Sequence, residues 1–190
     1  MDLKTAERSA DELIAALASV DEPAAAGSAA ALTGALAAAI VCKAARAASR
    51  PASAAQAVSL QDRLLRLARA DAEVLGEARA ALQSRDAPAP AAGRDFALGQ
   101  ALRNASVVPT GIAETCADVA QLAAAEHGSV EPDFTADVAA AAILAAGAAQ
   151  AAAALVAVNL LAHDNEGDVV AARRAATTAA EVVAQLAGPI

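Results

Sequence analysis

The chain is 190 residues long, carries a net charge of -8 and is 57% hydrophobic. This length suits a single domain over residues 1–190 with a sizeable core. Phe96 and Phe134 are the only aromatic residues, and acidic residues outnumber basic ones by 22 to 14. Nucleic-acid binding needs a basic surface and often stacking rings, so we expect no nucleic-acid partner.

Alanine supplies most of the apolar residues. It is the strongest helix former, whereas the β-branched and aromatic residues that build strands are scarce. Small side chains also let helix axes approach closely. The composition therefore predicts an all-α fold, an Ala-rich antiparallel helical bundle with a buried central helix.

The helical patterns in chain order predict seven helices. They run over residues 9–19, 28–50, 53–84, 94–107, 112–126, 137–162 and from the turn at 163–167 to residue 186. Ser9 and Glu12 form a capping-box pattern at the first helix. Pro51 is expected to end the second helix, and Pro109 to separate the fourth from the fifth. The segment 85–93, rich in Pro and Gly, is predicted to be a loop.

The stretch Val138 to Ala162 is long enough to cross a bilayer, because only Gln150 and Asn159 interrupt it. Most of its residues are alanine, which favours insertion less than Leu or Ile, and acidic residues flank it without Lys or Arg. A helix that is apolar all round is also typical of the centre of a bundle. We therefore predict a buried central helix and no membrane partner.

Cysteine and histidine placement gives no sign of a metal or disulfide site. Cys42 and Cys116 are far apart within predicted helices, and His127 and His163 stand at predicted helix ends. The first residues are charged and polar, unlike a signal peptide. We expect a cytoplasmic protein with reduced thiols and without a bound metal.

The turn before the second helix is a candidate binding site. It consists of small residues and ends in Gly27 and Ser28. Ser28 is suited to accept a hydrogen bond from the first free amides of the helix. Such a helix start can hold an anion or a polar ring, and the small residues let a flat ligand approach the backbone. The alternative is an ordinary capped helix.

A carboxylate interrupts the apolar stripe of the third helix. Asp71 falls on the face that carries Leu60, Leu64, Leu67 and Leu75. A carboxylate on such a face is costly unless it is paired or hydrogen-bonded. Either Asp71 is solvated or bonded to a neighbouring Arg, or it is a site carboxylate with a shifted pKa.

The second helix ends in a basic stripe of Lys43, Arg46 and Arg50. These cations can complement the helix dipole, or they can bind the carboxylates of an anionic ligand. In the central helix, Asp137 and Asn159 share a face but lie roughly 33 Å apart at ~1.5 Å per residue. They cannot serve one site in one subunit. Each is either structural, as a helix cap or a buried amide, or part of a different pocket that another copy of the chain completes.

The order of these features resembles the formimidoyltetrahydrofolate cyclodeaminase and methenyltetrahydrofolate cyclohydrolase family. The matching segments are Gly27-Ser28-Ala29-Ala30-Ala31-Leu32-Thr33-Gly34-Ala35-Leu36, Asp71-Ala72, Ala105-Ser106-Val107-Val108-Pro109, Ala136-Asp137-Val138-Ala139-Ala140-Ala141, and Val158-Asn159-Leu160 with Asp164. Each segment alone is weakly specific because alanine matches easily, but their order covers nearly the whole chain.

The resemblance implies a helical bundle that acts as a homodimer on a tetrahydrofolate derivative, with neither cofactor nor metal. The reaction would be that of a hydrolase, the cyclohydrolase, or of an ammonia lyase, the cyclodeaminase. Asp71 or Asp137 would be the acid/base or the carboxylate that holds the pterin. The other candidates would bind the substrate: Gly27 and Ser28 through the backbone, Asn159 through its amide, and Lys43 and Arg46 at the glutamate tail.

The chain departs from the family pattern in several places. The family turn typically reads Pro-Gly-Gly-Gly-Ser, whereas this chain has Ala24-Ala25-Ala26-Gly27-Ser28. Lys43 stands at a usually apolar position, Ala136 and Leu155 replace a usual Ser and a common Asn, and Val74 and Leu75 stand where an aromatic is often found. The alternative function is therefore a catalytically inactive relative that acts as a helical binding or structural protein.

Overall fold

The computed structural model describes residues 9–22, 26–83, 91–159 and 167–186. Within these ranges the chain forms six helices and no strand, so the predicted all-α fold is confirmed. The helices are α1 (Ala10–Ala18), α2 (Ala26–Ala47), α3 (Pro51–Gln83), α4 (Ala91–His127), α5 (Pro132–Asn159) and α6 (Gly167–Leu186). The predicted capping box of Ser9 and Glu12 opens α1, with both of its hydrogen bonds formed.

Neighbouring helices pack closely because most core residues are alanine. The largest buried aliphatic side chains include Leu64, Ile112 and Val119. Helices α2 and α3 are antiparallel, since Ser28 contacts Ala68 whereas the opposite end of α2 faces the first half of α3. Small side chains thus give the tight antiparallel packing that the composition predicts.

Helix α5 is central, as predicted, but one of its faces is uncovered. It packs against α2, α4 and α6. Ile143 is nevertheless 57% exposed and Leu144 is 42% exposed, and Leu36 on the adjacent helix α2 is 65% exposed. We call the outward surface around Leu36, Ile143 and Leu144 the α2–α5 face. The prediction of an α5 buried on all sides is therefore too strong for a single subunit.

In the part of the chain that the structure describes, two helices have the length and hydropathy of a membrane span. They are α2, with a mean hydropathy of 1.6, and residues Pro132–Val158, with 2.0. Packing within the bundle buries 61% of the most apolar stretch of the first helix and 50% of that of the second. Core helices of this kind pass the same test of length and composition, so the finding is weak evidence for a membrane.

The predicted break at Pro109 is wrong, because α4 continues through this proline. The fourth and fifth predicted helices are therefore one helix, which begins at Ala91. Residues 91–93, predicted to be loop, belong to α4, and the rest of that loop lies outside the described residues. A proline inside a helix costs about 3 kcal/mol. Here the ring is fully buried between packed helices, and this burial favours the continuous helix.

The end of α2 also differs from the prediction, because the helix stops at Ala47 and Pro51 begins α3. Proline is well suited to a first helical position, where its missing N–H has no partner to lose. Ser49 has a φ of 56°. The Ser49 amide donates to the Arg46 carbonyl and the Arg50 amide to the Ala45 carbonyl, at 3.1 and 2.8 Å. These bonds form a Schellman motif, which normally places glycine at the left-handed position.

Replacing Ser49 by Gly should stabilise the protein by about 1 kcal/mol, because glycine adopts the left-handed conformation without strain. The control is Ala47→Gly in the last residue of α2, which should cost about 0.5 to 1 kcal/mol. Urea unfolding followed by circular dichroism measures both. Equal effects of the two glycines would contradict the assignment of strain to Ser49.

An ion pair between a partly exposed arginine and a buried carboxylate joins the α2–α3 corner to the end of α4. Glu126 is 1% exposed and accepts hydrogen bonds from Arg50 at 2.5 and 3.0 Å and from the Ser53 hydroxyl at 2.7 Å. Burial alone would raise the pKa of Glu126, but these hydrogen bonds and the charge of Arg50 outweigh it and lower the pKa. Arg50, predicted as part of a ligand-binding stripe, is therefore engaged within the bundle.

Glu126→Gln should destabilise the protein by about 1 to 3 kcal/mol at pH 7, a range reduced because the Arg50 side chain is partly exposed. Since folding lowers the pKa of Glu126, its stabilisation is complete above the ordinary value of 4.5 and is lost as the pH falls through the folded value. The difference from wild type should therefore shrink in acid. Urea unfolding at several pH values measures it, with the exposed Glu114→Gln on the same helix as control. A difference that is constant with pH would contradict the account.

Candidate active site

The first turn of α2 encloses a buried carboxylate from α3. Asp71 is 6% exposed, and the Ser28 hydroxyl lies 2.9 Å from its Oδ2 and 3.1 Å from the Ala68 carbonyl oxygen. Because α2 begins at Ala26, two residues earlier than predicted, Ser28 lies inside the helix. The prediction that Ser28 accepts from the free amides is wrong. Its hydroxyl is a donor, and Asp71 is the acceptor.

Gly27 is required at this position by the close approach of Asp71. A Cβ atom built on Gly27 would lie 2.1 Å from Asp71 Oδ1 and 2.5 Å from its Cγ. No pair of real atoms in van der Waals contact is that close, so any side chain at position 27 displaces the carboxylate. Gly27 therefore leaves the space that the Asp71 carboxylate occupies.

The electrostatics of the Asp71 carboxylate combine an unfavourable and a favourable effect. Burial raises the pKa of Asp71, and hydrogen bonds from the side chain and backbone of Ser28 partly offset that rise. The start of a helix also favours a negative charge, because its first amides have no partners within the helix. The sequence leaves Asp71 either solvated or paired with an arginine, or a site carboxylate with a shifted pKa. In the structure Asp71 is bonded to Ser28 rather than to an arginine, and burial raises its pKa.

Two further helices reach the same end of α2. Helix α3 runs antiparallel to α4, and a Cβ on Gly111 would lie 3.4 Å from Leu67. Asp71 is one turn further along α3, so it lies at the level of Val107, one turn earlier in α4. The Ala105–Pro109 segment, one of those that resemble the family pattern, is therefore brought alongside the buried carboxylate.

A groove of about 440 Å³ opens between the first half of α2 and α5. It begins at Ala26, next to Gly27, and its walls are almost entirely apolar. Its lining residues are Ala26, Ala29, Ala30, Thr33, Ile143, Leu144, Gly147, Ala148 and Ala151. The sequence does not predict this groove, because the apolar pattern of α5 indicates a helix covered on all sides. The signal that could have found it is the pair of large residues, Ile143 and Leu144, in a helix otherwise built mainly of alanine.

The other predicted residues lie at the opposite end of α2. Lys43 and Arg46 are exposed and line a separate groove of about 280 Å³. Lys43 Nζ lies 5.4 Å from the centre of the Phe134 ring, one turn before Asp137 on α5. Sixteen residues separate Lys43 from Gly27, which is roughly 24 Å along the helix. One subunit therefore does not bring the basic residues to the buried carboxylate.

Asp137 is exposed and lies in the second turn of α5, because that helix begins at Pro132. The alternative that it caps the helix is therefore wrong. Asn159 is the last residue of α5, and its side chain lies outside the described part of the chain. His163 and Asp164 also lie outside it. Among the described residues, no group of three His, Cys, Asp or Glu side chains is placed to hold a metal ion.

Fold and site together define an alanine-rich helical bundle with a carboxylate enclosed by the start of its second helix. The chain matches the Formiminotransferase-cyclodeaminase family over residues 9–179 and therefore belongs to it, a family of folate-dependent one-carbon enzymes. The resemblance in the sequence is thus confirmed.

Among solved structures, the fold is similar to that of a formiminotetrahydrofolate cyclodeaminase from Thermotoga maritima. The TM-score is 0.79 at 18% sequence identity, and the match covers 95% of this chain and 96% of the other. At this identity the similarity concerns the fold. No match was found among curated proteins.

Gly27→Ala should destabilise the protein by about 2 kcal/mol, because the new methyl group displaces Asp71 and its hydrogen bond with Ser28. Gly76→Ala is the matched control, since a Cβ at Gly76 meets nothing within 4 Å. That change should stabilise α3 by about 0.5 to 1 kcal/mol. Thermal unfolding measures both variants. A neutral Gly27→Ala would show that the close approach is not needed.

Proposed function

We propose that this protein is a folate-dependent one-carbon enzyme, either a formimidoyltetrahydrofolate cyclodeaminase or a methenyltetrahydrofolate cyclohydrolase. The observation that carries the proposal is the Asp71 carboxylate, buried at the start of α2 and bonded to Ser28. Family membership supplies the substrate class. We further propose a cytoplasmic homodimer that needs neither metal nor cofactor and binds neither membrane nor nucleic acid.

Both reactions need a group that exchanges protons beside the one-carbon unit. In the cyclodeaminase reaction, a folate nitrogen attacks the formimino carbon, and the amine must gain a proton to leave as ammonia. In the cyclohydrolase reaction, water adds to the cationic methenyl carbon and gives up a proton before the ring opens to formyltetrahydrofolate. A carboxyl group whose pKa is raised serves as the donor in the first case and as the acceptor in the second.

The surroundings of Asp71 suit these roles. An ionised Asp71 would also stabilise the methenyl cation, and this attraction is stronger where water is largely excluded. The apolar groove on the α5 side of α2 begins at Ala26, the residue before Gly27, and has room for a flat ring, but Asp71 does not line it. In this proposal Gly27 and Ser28 hold the carboxylate in place rather than contact the substrate through the backbone. Asn159 remains a candidate for positioning the pterin.

The second candidate function is that of an inactive relative, and one observation favours it. Asp71 already satisfies the start of α2 and bonds Ser28, which is a sufficient structural role for a carboxylate. In that case the protein would retain the bundle and bind partners without turnover. The two candidates differ in whether the purified protein accelerates either reaction.

The direct assay follows loss of methenyltetrahydrofolate absorbance against a buffer control, with formiminotetrahydrofolate and ammonia release measured in parallel. Acceleration of either reaction supports the enzyme and identifies it. A folded protein that accelerates neither and binds no tetrahydrofolate by calorimetry would be an inactive relative.

Asp71→Asn should lower kcat by about 100-fold or more, because the amide cannot exchange the proton. Asp62→Asn, an exposed change on the same helix, should leave kcat unchanged. If the reaction uses ionised Asp71, the rate of the wild type should fall as the pH drops through its raised pKa, above the ordinary value of 3.8. Retention of kcat by Asp71→Asn, with normal helicity by circular dichroism, would remove Asp71 from the mechanism.

A further inference from the structure

A polar groove of about 220 Å³ lies between α4 and α6, and we call it the α4–α6 groove. The two helices run parallel along it, because Ser106 and Asp168, which precede the groove on α4 and α6, have side-chain oxygens 3.5 Å apart. Asp118 of the groove follows Val107, the residue level with Asp71, at a distance of roughly 16 Å along α4. The groove is therefore separate from the candidate active site.

Alanine residues form the floor of the α4–α6 groove. Ala117 of α4 is 5% exposed, and Ala175 of α6 is 8% exposed. The polar lining residues stand on the same helix faces: Glu114, Asp118 and Gln121 on α4, and Arg174 and Thr178 on α6. Because alanine has a short side chain, the space between the two polar walls stays open.

The two walls of the groove carry opposite charges that do not pair with each other. Glu114 and Asp118, one helical turn apart, make the α4 wall acidic, and Arg174 makes the α6 wall basic. In the described part of the chain, neither carboxylate lies within salt-bridge distance of the Arg174 guanidinium. Opposite charges attract across such a gap. A ligand that carries both a positive and a negative group can satisfy both walls at once.

The charges around the groove also balance. Burial raises the pKa of Asp118, and the charge of Arg63 on α3 opposes that rise. With Arg63 included, two arginines stand against Glu114 and Asp118, so a neutral zwitterion leaves the balance unchanged. An amine alone would leave Arg174 without a partner, and a carboxylate alone would do the same to the acidic wall.

We propose that the α4–α6 groove binds a small neutral α-amino acid. Arg174 donates two parallel hydrogen bonds to the ligand carboxylate. The three N–H groups of the ligand ammonium donate to Glu114, Asp118 and the Thr178 hydroxyl. The groove is smaller than the ~300 to 1,000 Å³ of pockets for drug-sized ligands, which suits glycine, alanine or valine with the side chain on the alanine floor.

The first test compares three compounds that share one carbon skeleton: L-valine, isobutylamine without the carboxylate, and isovalerate without the amine. By calorimetry, isobutylamine and isovalerate should bind about 10-fold or more weakly than L-valine, because each loses the charge-assisted hydrogen bonds of one wall. Equal binding of L-valine and either analogue would overturn the proposal. The absence of binding for all of glycine, L-alanine and L-valine would also overturn it.

The second test changes one residue of each wall. Arg174→Gln and Asp118→Asn should each weaken L-valine binding by about 10-fold or more, with unchanged helicity by circular dichroism. The matched controls are Arg66→Gln and Asp62→Asn, which make the same changes of charge at exposed positions of α3 outside the groove. These controls should bind as the wild type does. Unchanged binding in the two groove variants, or equal weakening in the controls, would overturn the proposal.

The third test measures thermal unfolding with L-valine at ten times its Kd. The Tm of the wild type should rise by about 3 to 6 °C. Amino acids also stabilise proteins by exclusion from their surface, and that effect raises the Tm of Arg174→Gln as much as that of the wild type. An equal rise in both proteins would overturn the proposal. These experiments use no folate, so they decide the amino-acid site whether or not the proposed function holds.

Discussion

The contact between the start of α2 and the Asp71 carboxylate organises the rest of the site. It requires a glycine at position 27, because a Cβ there would collide with Asp71 Oδ1. It requires a donor such as Ser28, because a carboxylate that is 6% exposed is costly without hydrogen bonds. The helix start adds unpaired amides that favour a negative charge. Asp71 thus both anchors α2 to α3 and provides a carboxyl group with a raised pKa.

Alanine explains why such a contact can form within the bundle. A core built of small side chains lets α2, α3, α4 and α5 approach closely, so a short Asp side chain on α3 reaches the backbone of α2. The same composition leaves few large residues to seal the outside of α2 and α5. Leu36, Ile143 and Leu144 therefore project from a surface that one subunit does not cover. The alanine-rich composition thus accounts for both the close packing inside the bundle and the open apolar face outside it.

The sequence predicts the fold class, the approximate positions of most helices and the family, because alanine propensity and motif order are properties of long stretches. It also identifies Gly27, Ser28 and Asp71 individually. It does not predict that Ser28 donates to Asp71, since that bond joins residues 43 positions apart. Pro109 is the opposite case, because its local sequence predicts a helix end that the structure does not have. Its local preference to end a helix is outweighed by burial between neighbouring helices, which no local pattern contains. The distance between Lys43 and Asp71 likewise depends on which ends of the helices meet.

The most direct test of the central claim is a crystal structure of the protein with bound tetrahydrofolate. The account predicts the pterin within hydrogen-bond distance of Asp71. A folate bound away from Asp71 would contradict the account.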